Sequence, residues 1–172
     1  ISGAGGFATL HSCDIREEAA VCATVDAVLA AHGRIDGLVN NAGGQFPAPL
    51  RDISLKGWEA VVRTNLTGGF LMARECYRRW MEHHGGAVVN MIADMWGGMP
   101  GMGHSGAARA GMLNFTETAA CEWAAAGVRV NAVLPAEVMT PMYQRWINTM
   151  DDPEAKLKEI TDRIPLESRM TE

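Results

Sequence analysis

Residues 35–44, with the sequence Ile-Asp-Gly-Leu-Val-Asn-Asn-Ala-Gly-Gly, carry the pattern that decides the fold class. Ile35 to Val39 is a short apolar run, which is typical of a parallel strand covered on both faces. The residues that follow, Asn40 to Gly44, are polar or small, so the backbone can turn sharply and approach a ligand closely. The stretch therefore predicts a buried strand whose carboxyl end opens into a ligand-binding loop.

The same strand pattern recurs along the chain and alternates with helical patterns. Further apolar runs predict strands at Phe7 to Cys13, Ala87 to Ile92 and Val128 to Leu134. The helices predicted from apolar residues at helical spacing are Glu17 to His32, Ser54 to Val62 with Ser54 as N-cap, Leu66 to His84 and Ser105 to Ala126, followed by a mostly helical tail from Glu137. This alternation predicts an α/β fold with a doubly wound parallel sheet.

The composition excludes several classes of protein. The 172 residues include 15 Lys and Arg against 20 Asp and Glu, so no basic excess exists to neutralise nucleic-acid phosphates. No apolar run approaches the roughly 20 residues that a membrane span needs. The five histidines lie at no metal-binding spacing, and the four cysteines form no CxxC pair. We therefore expect no metal site, and reduced thiols in a cytoplasmic compartment.

Small and polar residues follow each predicted strand. They are Asp14, Asn40-Asn41-Ala42-Gly43, Ala93-Asp94 and Pro135-Ala136-Glu137. The carboxyl ends of parallel strands meet at one edge of the sheet, and open α/β sheets bind their ligands in the crevice outside that edge. The pattern by itself therefore predicts a ligand site at this edge.

Several short motifs, in order and at the right separations, resemble the short-chain dehydrogenase/reductase family. They are Cys13-Asp14-Ile15, Asn40-Asn41-Ala42-Gly43, Thr64-Asn65-Leu66-Thr67-Gly68, Gly127-Val128-Arg129-Val130-Asn131-Ala132-Val133, Pro135 and Thr140-Pro141. The resemblance implies a Rossmann-type fold, NAD or NADP as cofactor, and a homo-oligomer, dimer or tetramer, built through the two long helices. It also implies that residues 1–172 form a single, partial dinucleotide-binding domain, without the family's N-terminal Gly-rich unit and C-terminal strand.

Two parts of the chain resemble different subgroups of this family. Residues 43–46, 56–58 and 104–111 are most similar to peroxisomal-type trans-2-enoyl-CoA reductases, whereas residues 135–143 are more similar to sugar dehydrogenases. The first resemblance implies reduction of the double bond of an acyl thioester in fatty acid metabolism, and a peroxisomal location in a eukaryote. The second keeps open a sugar or hydroxyacyl dehydrogenase, and a non-catalytic nucleotide-binding scaffold is a third hypothesis.

The resemblance assigns cofactor-binding roles to residues at three strand ends. Asp14 would accept a hydrogen bond from the adenine amino group while Ile15 packs against the ring, although Asp14 also suits the N-cap of the next helix. The other residues with an implied cofactor contact are Asn41, Ala42, Gly43, Pro135, Val138 and Thr140. Thr140, which precedes Pro141, equally suits a helix N-cap.

The family's catalytic pattern, a Ser followed by Tyr-x-x-x-Lys, is altered in this chain. Ser105 stands at the Tyr position, Arg109 at the Lys position and Ala93 at the Ser position, while Asn65 is kept. The enoyl-CoA reductases share the Ser-x-x-x-Arg form, so the change supports that subgroup. It weakens a role in alcohol or ketone chemistry, where a tyrosine acid or base is expected.

The candidate catalytic residues are Asn65, His104, Ser105 and Arg109. Asn is unfavourable inside a helix, so Asn65 predicts either a local kink that holds a water or a buried Asn bonded to nearby backbone. Arg109 would bind ribose hydroxyls or form a surface charge, and Ser105 would donate to a reacting oxygen or cap its helix. Histidine can donate a proton near neutral pH, so His104 is either the donor to an enolate carbon or an exposed loop residue.

Overall fold

A computed structural model describes residues 2–135 and 138–162, which belong to two compact units, Ile1–Val133 and Leu134–Glu172. The strands of the first unit are β1 (Gly37–Asn40), β2 (Gly86–Met91) and β3 (Val128–Val133). Its helices are α1 (Glu18–His32), α2 (Leu55–Val62), α3 (Gly68–Cys76), α4 (Glu82–His84) and α5 (Gly103–Glu122). The helices of the second unit are α6 (Pro141–Ile147) and α7 (Pro153–Asp162).

The strands form one parallel sheet in the order β1-β2-β3. Leu38 of β1 pairs with Val88 of β2, and Val88 pairs with Val130 of β3. Because the strands run in the same direction, their carboxyl ends lie along one edge of the sheet. This arrangement confirms the predicted α/β fold and brings the polar strand ends together.

The core lies against this sheet and follows from the apolar spacing of the sequence. Val21 and Val25 of α1, four residues apart and so on one face of the helix, are both buried with Val88 and Val130 of the sheet. Removing this apolar surface from water is the main favourable contribution to folding. The core therefore holds the strand ends, and the loops that follow them, in fixed positions.

The predicted strand from Phe7 to Cys13 is wrong, because the segment has no regular secondary structure. Its large apolar side chains are exposed, with Phe7 78% and Leu10 97% accessible. A strand requires a hydrogen-bonded neighbour, and none of the described strands lies beside this segment. Instead, Thr9 Oγ1 lies 2.9 Å from His32 Nε2, and the Phe7 ring meets the His32 ring edge-on. An apolar run indicates side chains that suit a strand, but it does not indicate whether a second strand lies beside it.

The predicted helix from Leu66 to His84 is also not a regular α-helix. Arg63–Thr67 and Tyr77–Met81 are π-helical turns on either side of α3. A π turn takes up an extra residue and is frequent at functional sites. Asn65 lies in the first of these turns, so the local distortion expected from an Asn inside a helix is present.

Two predicted helix caps are confirmed. Ser54 Oγ accepts a hydrogen bond of 3.1 Å from the Gly57 N–H at the start of α2. Thr140 Oγ1 accepts one of 3.1 Å from the Tyr143 N–H at the start of α6. Each hydroxyl satisfies an N–H group that has no partner within its helix.

Some features are absent from the described part of the chain. Within residues 2–135 and 138–162, no helix combines the length and the apolar character needed to cross a membrane. The same residues contain no group of three or more His, Cys, Asp or Glu side chains that could hold a metal ion. All four cysteines lie in these ranges, and none of them forms a disulfide.

Candidate functional site

A four-residue loop after β1, Gly43–Phe46, contacts all four candidate catalytic residues. Gly43 lies close to Arg109, and Gly44 and Gln45 form hydrogen bonds with Asn65 and Ser105 respectively. The Phe46 ring packs against His104. Two of these partners open α5, one lies a turn further along it, and one lies in the first π turn. The 43–46 loop therefore joins the elements that carry the site.

Gly43 is required by a close approach to two side chains. A Cβ atom at this position would lie 2.7 Å from Arg109 Nη2 and 2.8 Å from Asn65 Oδ1. Both distances are shorter than a carbon atom can make without displacing its neighbour. At Gly44 a Cβ would meet no atom within 4 Å, so the constraint applies to the first glycine of the pair.

Asn65 is buried and bonds both polar backbone groups of Gly44. Its Nδ2 donates to the Gly44 carbonyl at 2.8 Å, and its Oδ1 accepts from the Gly44 N–H at 2.9 Å. The side-chain amide thus bonds both backbone polar groups of Gly44, as the backbone of a neighbouring strand would. Of the two alternatives from the sequence, the structure contains a buried Asn bonded to neighbouring backbone, inside a distorted helix; a water held there stays a prediction.

Arg109 points inward from α5 and is not a surface charge. Its Nη1 donates to the Met91 carbonyl at the end of β2, and its Nη2 lies 3.5 Å from Asn65 Oδ1. Its Nε is buried without a hydrogen-bond partner among the described residues. Burial lowers the pKa of Arg109 below its ordinary value, because a cation loses hydration there. The site therefore holds a guanidinium with an unused donor.

Ser105 is fully buried inside α5 and does not cap it, since the helix begins at Gly103. Its Oγ donates a hydrogen bond of 2.6 Å to Gln45 Oε1. The serine hydroxyl is therefore oriented by a residue of the 43–46 loop. With its hydrogen directed at Gln45, the oxygen of Ser105 can accept a hydrogen bond from another group.

His104 is fully buried and is not an exposed loop residue. Its Nδ1 accepts a hydrogen bond of 2.9 Å from the Ser105 N–H, so the proton of the neutral ring is carried by Nε2. That Nε2 is buried and has no partner in the described part of the chain. The Phe46 ring packs against the imidazole at 4.5 Å, with the two planes at 84°. His104 therefore offers a buried donor that the protein itself does not use.

A cleft along the carboxyl ends of the strands brings two of the catalytic candidates together with predicted cofactor residues of the first unit. Ile15, Asn41 and Ala42 line it together with Asn65 and Arg109. Its lining combines apolar side chains, small residues that follow β1, and hydrogen-bonding side chains. This mixture suits a nucleotide, whose flat base is apolar on its faces and whose ribose offers hydroxyl groups.

Asp14 lies outside α1 and does not cap it; Glu17 is the N-cap residue and makes no side-chain cap. Arg16 Nε and Nη2 donate to the two oxygens of Asp14 at 2.9 and 2.7 Å, and the Arg16 N–H donates at 3.0 Å. The side-chain and then the backbone hydrogen bonds from Arg16 lower the pKa of Asp14 to about 2. The carboxylate is therefore ionised at neutral pH and exposed to a ligand.

The remaining predicted cofactor residues, Pro135, Val138 and Thr140, belong to the second unit. The Thr140 N–H donates to the Val138 carbonyl at 2.8 Å, just before the hydroxyl of Thr140 caps α6. Residues 136 and 137, which the strand-end pattern also includes, lie outside the described residues. The implied nucleotide contacts of these residues stay predictions.

Gln45 and Phe46 are the functional residues that sequence reasoning missed. Both lie in the stretch that resembles the enoyl-CoA reductases, which was the available signal, but neither type has a fixed chemical role at a loop position. Their importance follows from contacts with Ser105 and His104. Those contacts join residues about 60 positions apart.

A parallel α/β sheet, with a cleft of this character along the carboxyl ends of its strands, defines a nucleotide-binding domain of the Rossmann type. Residues 2–151 match the family model described as short chain dehydrogenase. The chain belongs to the short-chain dehydrogenase/reductase family, and the family predicted from the motifs is confirmed.

Known members of the family carry names from two substrate classes. A Bacillus subtilis (strain 168) protein named "Probable 2,4-dienoyl-CoA reductase" is 37% identical over 136 residues, which are 77% of this chain and 54% of that protein. The solved citronellol catabolism dehydrogenase of Pseudomonas aeruginosa PAO1 is 51% identical, with a TM-score of 0.82, over 99% of this chain and 63% of that one. An NAD⁺-bound xylitol dehydrogenase is 28% identical, with a TM-score of 0.86, over 94% and 66%. The chain spans about half the length of the curated relatives that it matches.

Proposed function

We propose that the whole protein is an NAD- or NADP-dependent reductase of 2-enoyl thioesters. The observation that carries this proposal is the Ser105 and Arg109 pair, which replaces the family's Tyr and Lys with a buried hydroxyl and a guanidinium. A serine does not titrate near neutral pH, so it is a poor acid for a ketone or base for an alcohol. It is a suitable hydrogen-bond donor to an oxyanion, and the relative named as a dienoyl-CoA reductase supports the same substrate class.

The residues along the cleft fit a bound dinucleotide. Gly43 lets the loop lie close against Asn65 and Arg109, and the Arg109 guanidinium, which lines the cleft, suits a ribose hydroxyl. The ionised Asp14 can accept from the adenine amino group beside Ile15. The further cofactor contacts in this proposal are those of Asn41, Ala42, Pro135, Val138 and Thr140. When bound, the nicotinamide supplies the hydride for the reduction.

The chain's own residues would supply the rest of the chemistry. Reduction adds one hydride to the β carbon and one proton to the α carbon, and in between the thioester oxygen carries negative charge as an enolate. Ser105, together with a water near Asn65, would stabilise that oxygen by hydrogen bonding. Water would supply the proton that the α carbon takes up, and the Nε2–H of His104 would hold that water by a hydrogen bond.

The rim of the site favours a substrate with an apolar chain. Leu50 is 68% exposed next to Gly103, where a Cβ would come within 2.7 Å of its Cδ1. Phe46, which packs against His104, is 39% exposed. A polyol would leave these side chains in contact with hydroxyl groups, whereas an acyl chain would cover them. The 51% identity to a citronellol catabolism dehydrogenase is compatible with an apolar substrate.

A sugar or hydroxyacyl dehydrogenase is the second candidate. The similarity of residues 135–143 to sugar dehydrogenases and the likeness to xylitol dehydrogenase favour it. This activity requires an acid and base to move the hydroxyl proton, and His104 would have to take that role. A non-catalytic scaffold is the third, since the family's Tyr and Lys are both replaced.

Substrate-dependent oxidation of NADPH and NADH by the whole protein tests the proposal. We expect trans-2-enoyl thioesters to be reduced, with kcat/KM rising from crotonyl to longer chains. Turnover of xylitol with NAD⁺, without turnover of thioesters, would assign the second candidate. Nucleotide binding without turnover of either substrate would assign the scaffold. Ser105→Ala is the matched variant, because it removes one hydroxyl from the site and keeps the helix.

We also propose that the whole protein forms a homo-oligomer through α3 and α5. Phe70 of α3 and Phe115 of α5 pack edge-to-face at 5.9 Å, and Phe70 stays 37% exposed. An exposed aromatic pair on adjacent helices favours contact with a second copy. Sedimentation of the whole protein should give a dimer or tetramer, and Phe70→Glu should shift it to the monomer.

A cytoplasmic location is the last part of this proposal. It is supported by the four unpaired cysteines, because reduced thiols persist in the cytosol. Fractionation of the source cells tests it.

A further inference from the structure

The hydrogen bond between Gln45 and Ser105 controls what the serine can offer to a substrate. Ser105 is fully buried, and its hydroxyl donates to Gln45 Oε1 at 2.6 Å. A hydroxyl has one hydrogen, so while that hydrogen points at Gln45, Ser105 is an acceptor toward every other group. Stabilisation of an enolate oxygen requires the opposite orientation.

The amide of Gln45 can provide that opposite orientation. Rotation by half a turn about its last bond exchanges Oε1 for Nε2, which would then donate to Ser105 Oγ and release the serine hydrogen. Gln45 is exposed, so its end can rotate. Among the described residues, none accepts a hydrogen bond from its Nε2 in the present orientation, so no bond holds the amide against rotation.

We infer that Gln45 is a positioning residue that switches the Ser105 hydroxyl between facing the loop and facing the substrate. It acts through Ser105 and does not itself bond the reacting atoms. The inference deepens the proposed function and rests on it, since the proposed reaction requires a donor at Ser105. Phe46, the next residue of the loop, packs against the His104 ring with 4.5 Å between the ring centroids. The proposed rotation of Gln45 therefore takes place beside an imidazole N–H that is held in position.

Gln45→Glu distinguishes this role from a structural one. A carboxylate can accept a hydrogen bond but cannot donate one. At neutral pH the Ser105 hydroxyl would therefore stay bonded to the Glu carboxylate and could not donate to the enolate oxygen. We expect kcat of the whole protein with a trans-2-enoyl thioester to fall about 100-fold, the usual effect of losing one oxyanion donor. When the pH is lowered from 7 to about 4, near the ordinary pKa of a glutamate carboxyl, protonation should restore a donor and recover part of the loss.

The chain offers a matched control for this change. Gln144 of α6 donates to Asn148 Oδ1 at 2.9 Å, and Gln144→Glu makes the same chemical change in a glutamine that is paired within its own helix. Its pH profile should follow the wild type. In the Ser105→Ala background, Gln45→Glu should have no further effect. A Gln45→Glu profile with the wild-type shape, or losses that simply multiply in the double variant, would overturn the inference.

A second measurement is independent of turnover. The carboxyl introduced by Gln45→Glu, followed by NMR with ¹³C-labelled glutamate, should titrate at lower pH with Ser105 present than in Ser105→Ala, because an accepted hydrogen bond stabilises the anion. Equal midpoints would refute the coupling. If the wild type reduces no enoyl thioester, the proposed function fails, and this titration still decides whether Gln45 acts on Ser105.

Discussion

Two polar segments that follow apolar runs of the chain, Gly43–Phe46 and Asp14–Arg16, are satisfied in opposite ways. The first bonds to residues as far as 60 positions away, on the π turn and on α5. Asp14, in the second, bonds to Arg16, two positions away, and both side chains are more than 40% exposed. The 43–46 loop depends on distant residues for its partners, whereas the Asp14 carboxylate finds its partner two residues away.

This difference separates two kinds of ligand contact. A group whose partners come from two distant elements is held in one position, which is what chemistry on a substrate requires. A group satisfied locally keeps its conformation in almost any context, which is sufficient for holding the edge of a base. We therefore expect substitutions that displace the partners of the 43–46 loop to impair turnover strongly, and substitutions around Asp14 to have small effects.

Gly43→Ala should have the largest effect. The added methyl would overlap Arg109 Nη2 and Asn65 Oδ1, at 2.7 and 2.8 Å, and both side chains are anchored by other hydrogen bonds. We expect turnover by the whole protein to fall about 100-fold, as for other displacements of about 1 Å at a reacting group. The free energy of unfolding should drop by about 1–3 kcal/mol, which denaturant titration measures.

Gly44→Ala is the control for that prediction, since a Cβ at Gly44 meets no atom within 4 Å and neither glycine has a positive φ. Its turnover and stability should stay close to the wild type. If both variants lose activity equally, the close approach at Gly43 is not the cause, and the contrast between the two segments loses its main support.

Asn65→Asp should have the next largest effect. The substitution puts a second acceptor opposite the Gly44 carbonyl, where Nδ2 now donates at 2.8 Å, in a site that is 3% exposed. An unpaired buried acceptor costs about 1–3 kcal/mol, and turnover should fall about tenfold as the loop shifts. Asn148→Asp, at the end of α6, makes the same change at an exposed position and should be neutral in urea titration and in turnover assays.

The parallel sheet and the distortion at Asn65 could be predicted because each depends on local sequence. Apolar runs ending in small residues specify buried strands, and an Asn inside a helical pattern disfavours regular helix. The Thr140 cap is local in the same sense. The signal for each of these features lies within a few consecutive residues, so the local sequence carries the information.

The roles of Gln45 and Phe46 could not be predicted, because they depend on which distant residues the fold brings beside them. Nothing at position 45 indicates that Ser105 lies 2.6 Å away. The wrong strand at Phe7 to Cys13 has the same origin, since side-chain alternation does not identify a neighbouring strand. The sequence also left His104 open between a proton donor and an exposed loop residue, and its burial beside Phe46 excludes the exposed loop residue.

Arg16→Ala should have the smallest effect, and it tests the comparison at the Asp14–Arg16 segment. The pKa of Asp14 is lowered from 3.8 to about 2, first by the side-chain hydrogen bond from Arg16. Because the folded pKa lies below the unfolded one, this pair stabilises the fold above about pH 4, and the contribution is lost as the pH falls from 3.8 to about 2. In Arg16→Ala that acid-dependent loss should shrink, seen as a flatter plot of melting temperature against pH in this range.

Arg34→Ala tests whether the position of such a pair matters. Arg34 and Asp36 repeat the same two-residue spacing just before β1, with Nε and Nη2 bonding the carboxylate at 2.8 and 2.6 Å, and the pKa of Asp36 is likewise lowered, first by that hydrogen bond. Both variants should flatten the acid side of the stability profile. Arg16→Ala alone should change the affinity for NADH, by less than about threefold, because surface ion pairs contribute little. A large loss of affinity would mean that Asp14 needs Arg16 to hold a nucleotide, and that this segment is organised like the 43–46 loop after all.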